Sequence, residues 1–102
     1  MDRPITRDQA LNILRFHRAE MEAHGIVHAA LFGSLARGDA TATSDLDIII
    51  DFAPAFLPRI FQYAGLRELV GGYFSGQADV VARPYLRAEL RANVERDAVH
   101  AF

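Results

Sequence analysis

Hydrophobic and polar positions change rhythm several times along this chain, and each change marks an element. Leu11, Leu14 and Met21, with Ile13 and Phe16 beside them, recur near helical period. Thr6-Arg7-Asp8-Gln9 just before them has the form of a capping box, in which the Thr hydroxyl and the Gln side chain satisfy exposed amides at a helix start. The pattern predicts a helix to about His24, ended by Gly25 in a left-handed conformation. Ile26 to Phe32 is a short apolar run bounded by glycines, which reads as a buried strand. From Gly33 to Thr43 the chain is rich in Gly, Ala, Thr and Asp, which predicts a short helical turn and a loop. Asp45 to Phe52 reads as a second strand, because Leu46, Ile48 and Ile50 share one face and β-branched residues dominate. Pro54 stops it. Pro58 fits the first turn of a helix through about Val70, with Leu57, Ile60, Phe61, Ala64 and Leu69 as its apolar stripe and Gly71-Gly72 as its end. Ala78 to Ala82 predicts a third strand, and Pro84 begins a last helix to about Glu95.

The order helix, strand, strand, helix, strand, helix implies an α/β or α+β fold, a small sheet covered by helices. No repeat or linker interrupts it, so residues 1–102 are expected to form one domain. The apolar share of 51% is enough for a core. All eleven basic side chains are arginine; lysine and cysteine are absent. That excludes Schiff-base chemistry, the P-loop lysine, thiol nucleophiles and cysteine-ligated metals. A formal charge of -2 gives no broad nucleic-acid footprint, so no direct nucleic-acid binding is expected. No apolar stretch approaches the roughly 18 residues of a membrane span and no signal peptide opens the chain, which leads to the expectation of a cytoplasmic protein without membrane association.

The chemistry concentrates in the middle of the chain. Asp45 and Asp47 sit two residues apart on a predicted strand, so both carboxylates project from one face. Left alone they repel; a pair of Mg²⁺ ions about 3.5–4 Å apart turns the repulsion into ligation, and magnesium completes its shell with substrate phosphates. A phosphate site lies just upstream, where Gly33 ends a strand and allows close backbone approach, and Ser34 opens a helical turn with free amides.

Gly33-Ser34, ten residues, then Asp45-Leu46-Asp47 resembles the signature of the polymerase-β-like nucleotidyltransferase superfamily, and more narrowly of its minimal nucleotidyltransferases. Leu31-Phe32-Gly33-Ser34-Leu35-Ala36-Arg37-Gly38 and Ser44-Asp45-Leu46-Asp47-Ile48 are similar to the family's fuller pattern. The resemblance covers nearly the whole chain and implies a mixed β-sheet of three to four strands with helices over it. It implies a third carboxylate, Asp79 in Ala78-Asp79-Val80-Val81, which would accept the proton of an attacking hydroxyl and share a metal with Asp45 and Asp47. Arg37 belongs to the same pattern, either as a cation near the phosphates or as a brace of the loop against an acid; Ser44 orders the loop or touches the nucleotide. Two Mg²⁺ ions as cofactor and ATP as substrate follow. Domains of this size resemble the antitoxins of toxin–antitoxin pairs, whose partner is a HEPN-type ribonuclease. The resemblance implies AMP transfer from ATP to a tyrosine of that toxin, which would be both acceptor and binding partner. A non-catalytic antitoxin acting by occlusion, or transfer to a small molecule, is the alternative. A homo-oligomer is possible.

Other features have plainer readings. His17, His24, His28 and His100 lack ligand spacing and are expected at the surface or core edge. Arg83, Arg87 and Arg91 recur every four residues and predict one solvated stripe on the last helix, with Glu95 paired to Arg91. Asp51 shares the parity of Asp47 but is expected at the surface. Tyr73, Phe74 and Tyr85 are candidates to stack on a base, although core is the commoner place for aromatics. Gly72-Tyr73-Phe74-Ser75-Gly76 reads as a long, flexible connection that leaves the placement of Asp79 open.

Overall fold

The computed structural model describes residues 5–38 and 46–102. Ser44 and Asp45, and with them half of the Asp-Leu-Asp motif, lie outside the described residues.

Thr6 caps the first helix as expected: its hydroxyl accepts from the Gln9 amide at 3.1 Å, and the Gln9 side chain accepts from the Thr6 amide at 3.0 Å. The helix does not run unbroken to His24. It divides into α1 (Arg7–Phe16) and α2 (Arg18–Ala23), bent at His17. The bend keeps the apolar face intact, since Leu14 and Met21, two turns apart, are both fully buried. Phe16 falls off that face and is 82% exposed, contrary to the pattern. The His17 ring lies flat on Tyr73, centroids 3.7 Å apart, and the Tyr73 hydroxyl donates to Glu20. Burial, followed by this bond, raises the Tyr73 phenol above its ordinary range. Gly25 ends α2 with φ +85°.

Strand β1 (Ile26–Phe32) leads into the short helix α3 (Gly33–Arg37), and β2 (Leu46–Phe52) pairs with β1 antiparallel. Helix α4 (Ile60–Gly72) crosses over to β3 (Ala78–Ala82), which pairs with β2 in parallel. A 3₁₀ turn (Arg83–Tyr85), helix α5 (Ala88–Asp97) and β4 (Val99–His100) complete the chain, β4 lying antiparallel to β1. Among the described residues the sheet is four-stranded and mixed, in the order β3-β2-β1-β4.

The sheet is covered on both faces. Leu31, Leu46, Ile48, Ile50 and Val80 face α1, α2 and α4 across the larger core, which includes Leu11, Leu14, Met21, Leu66 and Val70. Ala30 and Ile49 face α5 through Leu86 and Val94 in a smaller one. Strand alternation therefore puts Asp47 and Asp51, which share the parity of Ile49, on the α5 side.

Three expectations need correction. Helix α4 starts two residues after Pro58 and buries Leu66, Val70 and Gly71; of the expected stripe Leu69 packs against the core, whereas Leu57, Ile60 and Phe61 are 69%, 77% and 88% exposed and Ala64 is exposed. Tyr63, Leu66 and Val70 turn the helix toward the sheet and the core, which leaves Ile60, Phe61 and Ala64 on its outer side. Pro84 belongs to the 3₁₀ turn, and α5 starts at Ala88 and continues past Glu95 to Asp97. The Gly72–Gly76 connection is a compact turn. Its Phe74 is buried, the Phe74 and Gly76 amides both donate to Gly71 O at 3.0 Å, and the Gln77 amide donates to Phe74 O at 3.1 Å.

Strand β3 is a sheet edge, and α4 covers it with side chains. The Ala82 amide donates to the Tyr63 hydroxyl at 3.0 Å, and Arg67 Nε donates to Val80 O at 2.8 Å. Arg67 also lies 5.7 Å from the centre of the Tyr63 ring. These polar backbone groups of the edge are thus satisfied without another strand.

Candidate active site

Phe32, Asp47 and Asp79 occupy equivalent positions on three adjacent strands, since Phe32 pairs with Asp47 and Asp47 with Asp79. In-register neighbours project from the same face, so the Asp47 and Asp79 carboxylates stand side by side at the start of β2 and β3. Asp47 is half-buried and Asp79 exposed. The compact turn at Phe74 leads into β3 in this register.

Gly33 follows Phe32 directly, with φ +76°. A Cβ at this position would stand 2.4 Å from Asp47 Oδ2 and 3.3 Å from its Cγ. Only glycine admits both the left-handed backbone and the carboxylate against it. Ser34, half-buried, occupies the first turn of α3 beside this contact. The structure therefore brings together Gly33, Ser34, Asp47 and Asp79 from three segments of the chain, while Ser44 and Asp45 fall outside the described residues.

Arg37 braces α3 against the far end of α5: its Nη1 lies 3.3 Å from Asp97 Oδ2. Arg96 also donates to Asp97, at 3.0 Å. The bond from Arg96, reinforced by Arg37 and opposed by desolvation, holds the Asp97 carboxyl below its ordinary range. Asp51, expected at the surface, is half-buried and gripped by Arg83, with Nε to Oδ1 at 2.6 Å and Nη2 to Oδ2 at 3.4 Å. Arg83 also reaches Glu95. The stripe of Arg83, Arg87 and Arg91 does not form, because Arg83 precedes α5 and takes Glu95 from Arg91. The bond to Asp51 raises the Arg83 pKa further above its already high ordinary value.

Over the two carboxylates the face opens into a cavity of about 300 Å³ that runs from Phe32 and Asp47 to Asp79, Arg67, Tyr85, Arg87 and Leu90. Tyr85 is 47% exposed, and its ring lies 4.7 Å from that of Tyr63 at 37°. Of the three aromatics singled out in the sequence, Tyr85 is the one that borders the carboxylates; Phe74 is core and Tyr73 is occupied by His17 and Glu20. Arg67 and Leu90 carry no sequence signal for this position, since only the crossover of α4 and the first turn of α5 bring them here. The histidines stay away from the site: His24, His28 and His100 are exposed and His17 stacks on Tyr73.

The comparisons with known proteins agree with this geometry. The family model described as nucleotidyltransferase domain matches residues 10–100. The protein adenylyltransferase MntA of Thermococcus cleftensis is 29% identical over 97 residues, 94% of this chain and 96% of that one. A solved structure described as a minimal nucleotidyltransferase superposes with a TM-score of 0.72 at 27% identity, covering 93% of this chain and 95% of the other. A tri-AMPylated HEPN toxin from Shewanella oneidensis in complex with its MNT antitoxin matches with a TM-score of 0.63 at 14% identity, covering 90% of this chain and 71% of that one, a likeness of fold. The chain belongs to the minimal nucleotidyltransferase family of the polymerase-β-like superfamily, and its activity is that of a nucleotidyltransferase.

Proposed function

We propose that the protein is a Mg²⁺-dependent adenylyltransferase antitoxin that moves AMP from ATP to a tyrosine of a HEPN-type ribonuclease toxin. The observation that carries this reading is the pairing of Asp47 with Asp79 directly beside the Gly33–Ser34 turn. The likeness to the protein adenylyltransferase MntA and to an AMPylated HEPN toxin with its MNT antitoxin supports a protein acceptor and the partner.

The donor set fits magnesium. Carboxylate oxygens are the hard ligands that ion prefers, and two like charges on neighbouring strands cost stability unless a cation lies between them. Asp47 and Asp79, with Asp45, would hold the metal, which when bound supplies charge neutralisation at the phosphates and polarisation of the α-phosphoryl group. The chain's own residues do the rest. Gly33, having no side chain, lets the phosphates approach the backbone, and Ser34 offers a hydroxyl and amide to them. The acceptor hydroxyl oxygen forms a bond to the α-phosphorus as the bond to the bridging oxygen breaks, and pyrophosphate leaves with that electron pair. Asp79 accepts the hydroxyl proton. Arg37 acts from behind, tying α3 to Asp97 and so fixing the start of the phosphate turn.

Incubation with ATP, Mg²⁺ and the product of the neighbouring reading frame tests the reading. The partner should gain the mass of AMP on tyrosine and lose ribonuclease activity, and the Asp47→Ala variant should do neither. Neutralisation by Asp47→Ala with no change in the partner's mass would establish occlusion instead.

A further inference from the structure

We propose that the β3 side of the cavity over Asp47 and Asp79 is the acceptor seat, and that Tyr85 selects an aromatic hydroxyl by stacking on its ring. This rests on the assignment of Gly33–Ser34 to the phosphates and of Asp79 to the acceptor proton.

In-line displacement requires the attacking and leaving oxygens to lie on opposite sides of the phosphorus. The phosphate turn follows β1, and the strand order runs β1, β2, β3, so the carboxylates stand between the leaving group and the β3 edge. The attacking hydroxyl therefore enters from the β3 side, the part of the cavity of about 300 Å³ that Asp79, Arg67 and Tyr85 line. A pocket of this size lies at the lower end of those that hold small organic groups. Its lining suits a flat ring with one polar end. Tyr85 presents a half-exposed face, with Phe32, Val81 and Leu90 as further apolar walls.

The ring of Tyr85 is held for this task. Tyr63 packs against it at 4.7 Å, Arg67 lies over Tyr63, and both are anchored to the β3 backbone through Ala82 N–H and Val80 O. The stack is thus fastened to the same strand that carries Asp79. Arg67 and Arg87 line the cavity as well, and their positive charge lies where a phenolic oxygen becomes negative as its proton leaves. An aliphatic hydroxyl would gain nothing from the stack.

Titration of N-acetyl-L-tyrosinamide into ¹⁵N-labelled protein, saturated with Mg²⁺ and a non-hydrolysable ATP analogue, tests the proposal by binding alone. Amide shifts are expected at Leu86, Arg87 and Leu90, with none from N-acetyl-L-serinamide. Tyr85→Phe should bind as wild type does, and Tyr85→Ala about tenfold more weakly or worse, the range of a lost ring stack. The proposal is overturned if Tyr85→Ala binds as wild type does, if the serine compound shifts the same amides equally, or if the ATP analogue itself occupies this cavity and displaces the tyrosine compound. Because binding is read without turnover, selective tyrosinamide binding supports the seat even where no AMP transfer is detected, and that missing transfer counts against the enzymatic reading alone.

Discussion

The Asp47 carboxylate occupies the space that a side chain on Gly33 would fill, with Oδ2 2.4 Å from the position of a Cβ. The two ends of the family motif are therefore packed as one object. The end of β1 and the start of β2 fit only if the residue after Phe32 has no side chain.

Gly33→Ala should damage both stability and transfer. The left-handed backbone alone costs an L-residue about 1–2 kcal/mol, and the methyl must also displace Asp47. Urea unfolding should show the first loss, and AMP transfer should fall far more than the remaining folded fraction explains. A variant that keeps wild-type stability and turnover would contradict the close approach.

Asp79→Asn separates chemistry from structure. The residue is exposed and faces a like charge on the neighbouring strand, so its neutralisation should leave stability within about 0.5 kcal/mol of wild type or slightly raise it. Transfer should drop about 10²–10⁴-fold if the carboxylate takes the acceptor proton. A thermal melt beside a mass-spectrometric transfer assay distinguishes the two effects. Unchanged turnover would remove Asp79 from the mechanism.

Acid should loosen the brace between α3 and α5. Arginine partners lower the Asp97 pKa in the folded chain. Its ion pairs therefore stabilise the fold fully above the unfolded-state carboxyl value, and the contribution disappears as pH falls through the lowered, folded value. The stability gap between wild type and Asp97→Asn should accordingly be present at pH 7 and close in acid. A gap that stays constant across that window would show that the pairing with Arg37 and Arg96 contributes nothing.

At the other end of β2, Arg83→Ala should cost about 1.5–3 kcal/mol, the range for hydrogen bonds to charged groups. It leaves Asp51 half-buried without the fork that holds it. Turnover of the folded protein should hardly change, because Asp51 lies four residues along β2 from Asp47. Chemical denaturation with a parallel activity assay checks both halves.

Strands β1 and β3 were legible in the sequence to the residue, because short apolar runs between glycines or polar turns leave little choice of boundary. The capping box at Thr6 was equally plain, being a local exchange between two side chains and two amides. Helix α4 was misread in phase. Apolar residues surround its start on several sides, and only the sheet decides that Leu66 and Val70 turn inward while Ile60 and Phe61 face solvent. Strand β4 has two residues, too few for any alternation to show. The site divides the same way. Gly33, Ser34 and Asp47 announce themselves by spacing, whereas Asp79 becomes a neighbour of Asp47 only through the parallel register, 32 positions away in the chain. Tyr63, Arg67 and Tyr85 meet only because α4 is folded along the β3 edge.

That edge has a consequence for how the molecule can associate. An open strand beside a binding site invites strand addition from another chain and, with it, aggregation. Here the Val80 carbonyl and the Ala82 amide are already occupied by Arg67 and Tyr63. At these two positions a visitor to this side of the sheet meets side chains where a bare edge would offer backbone groups. The same two residues that steady Tyr85 thus hinder the addition of a β-strand at this edge.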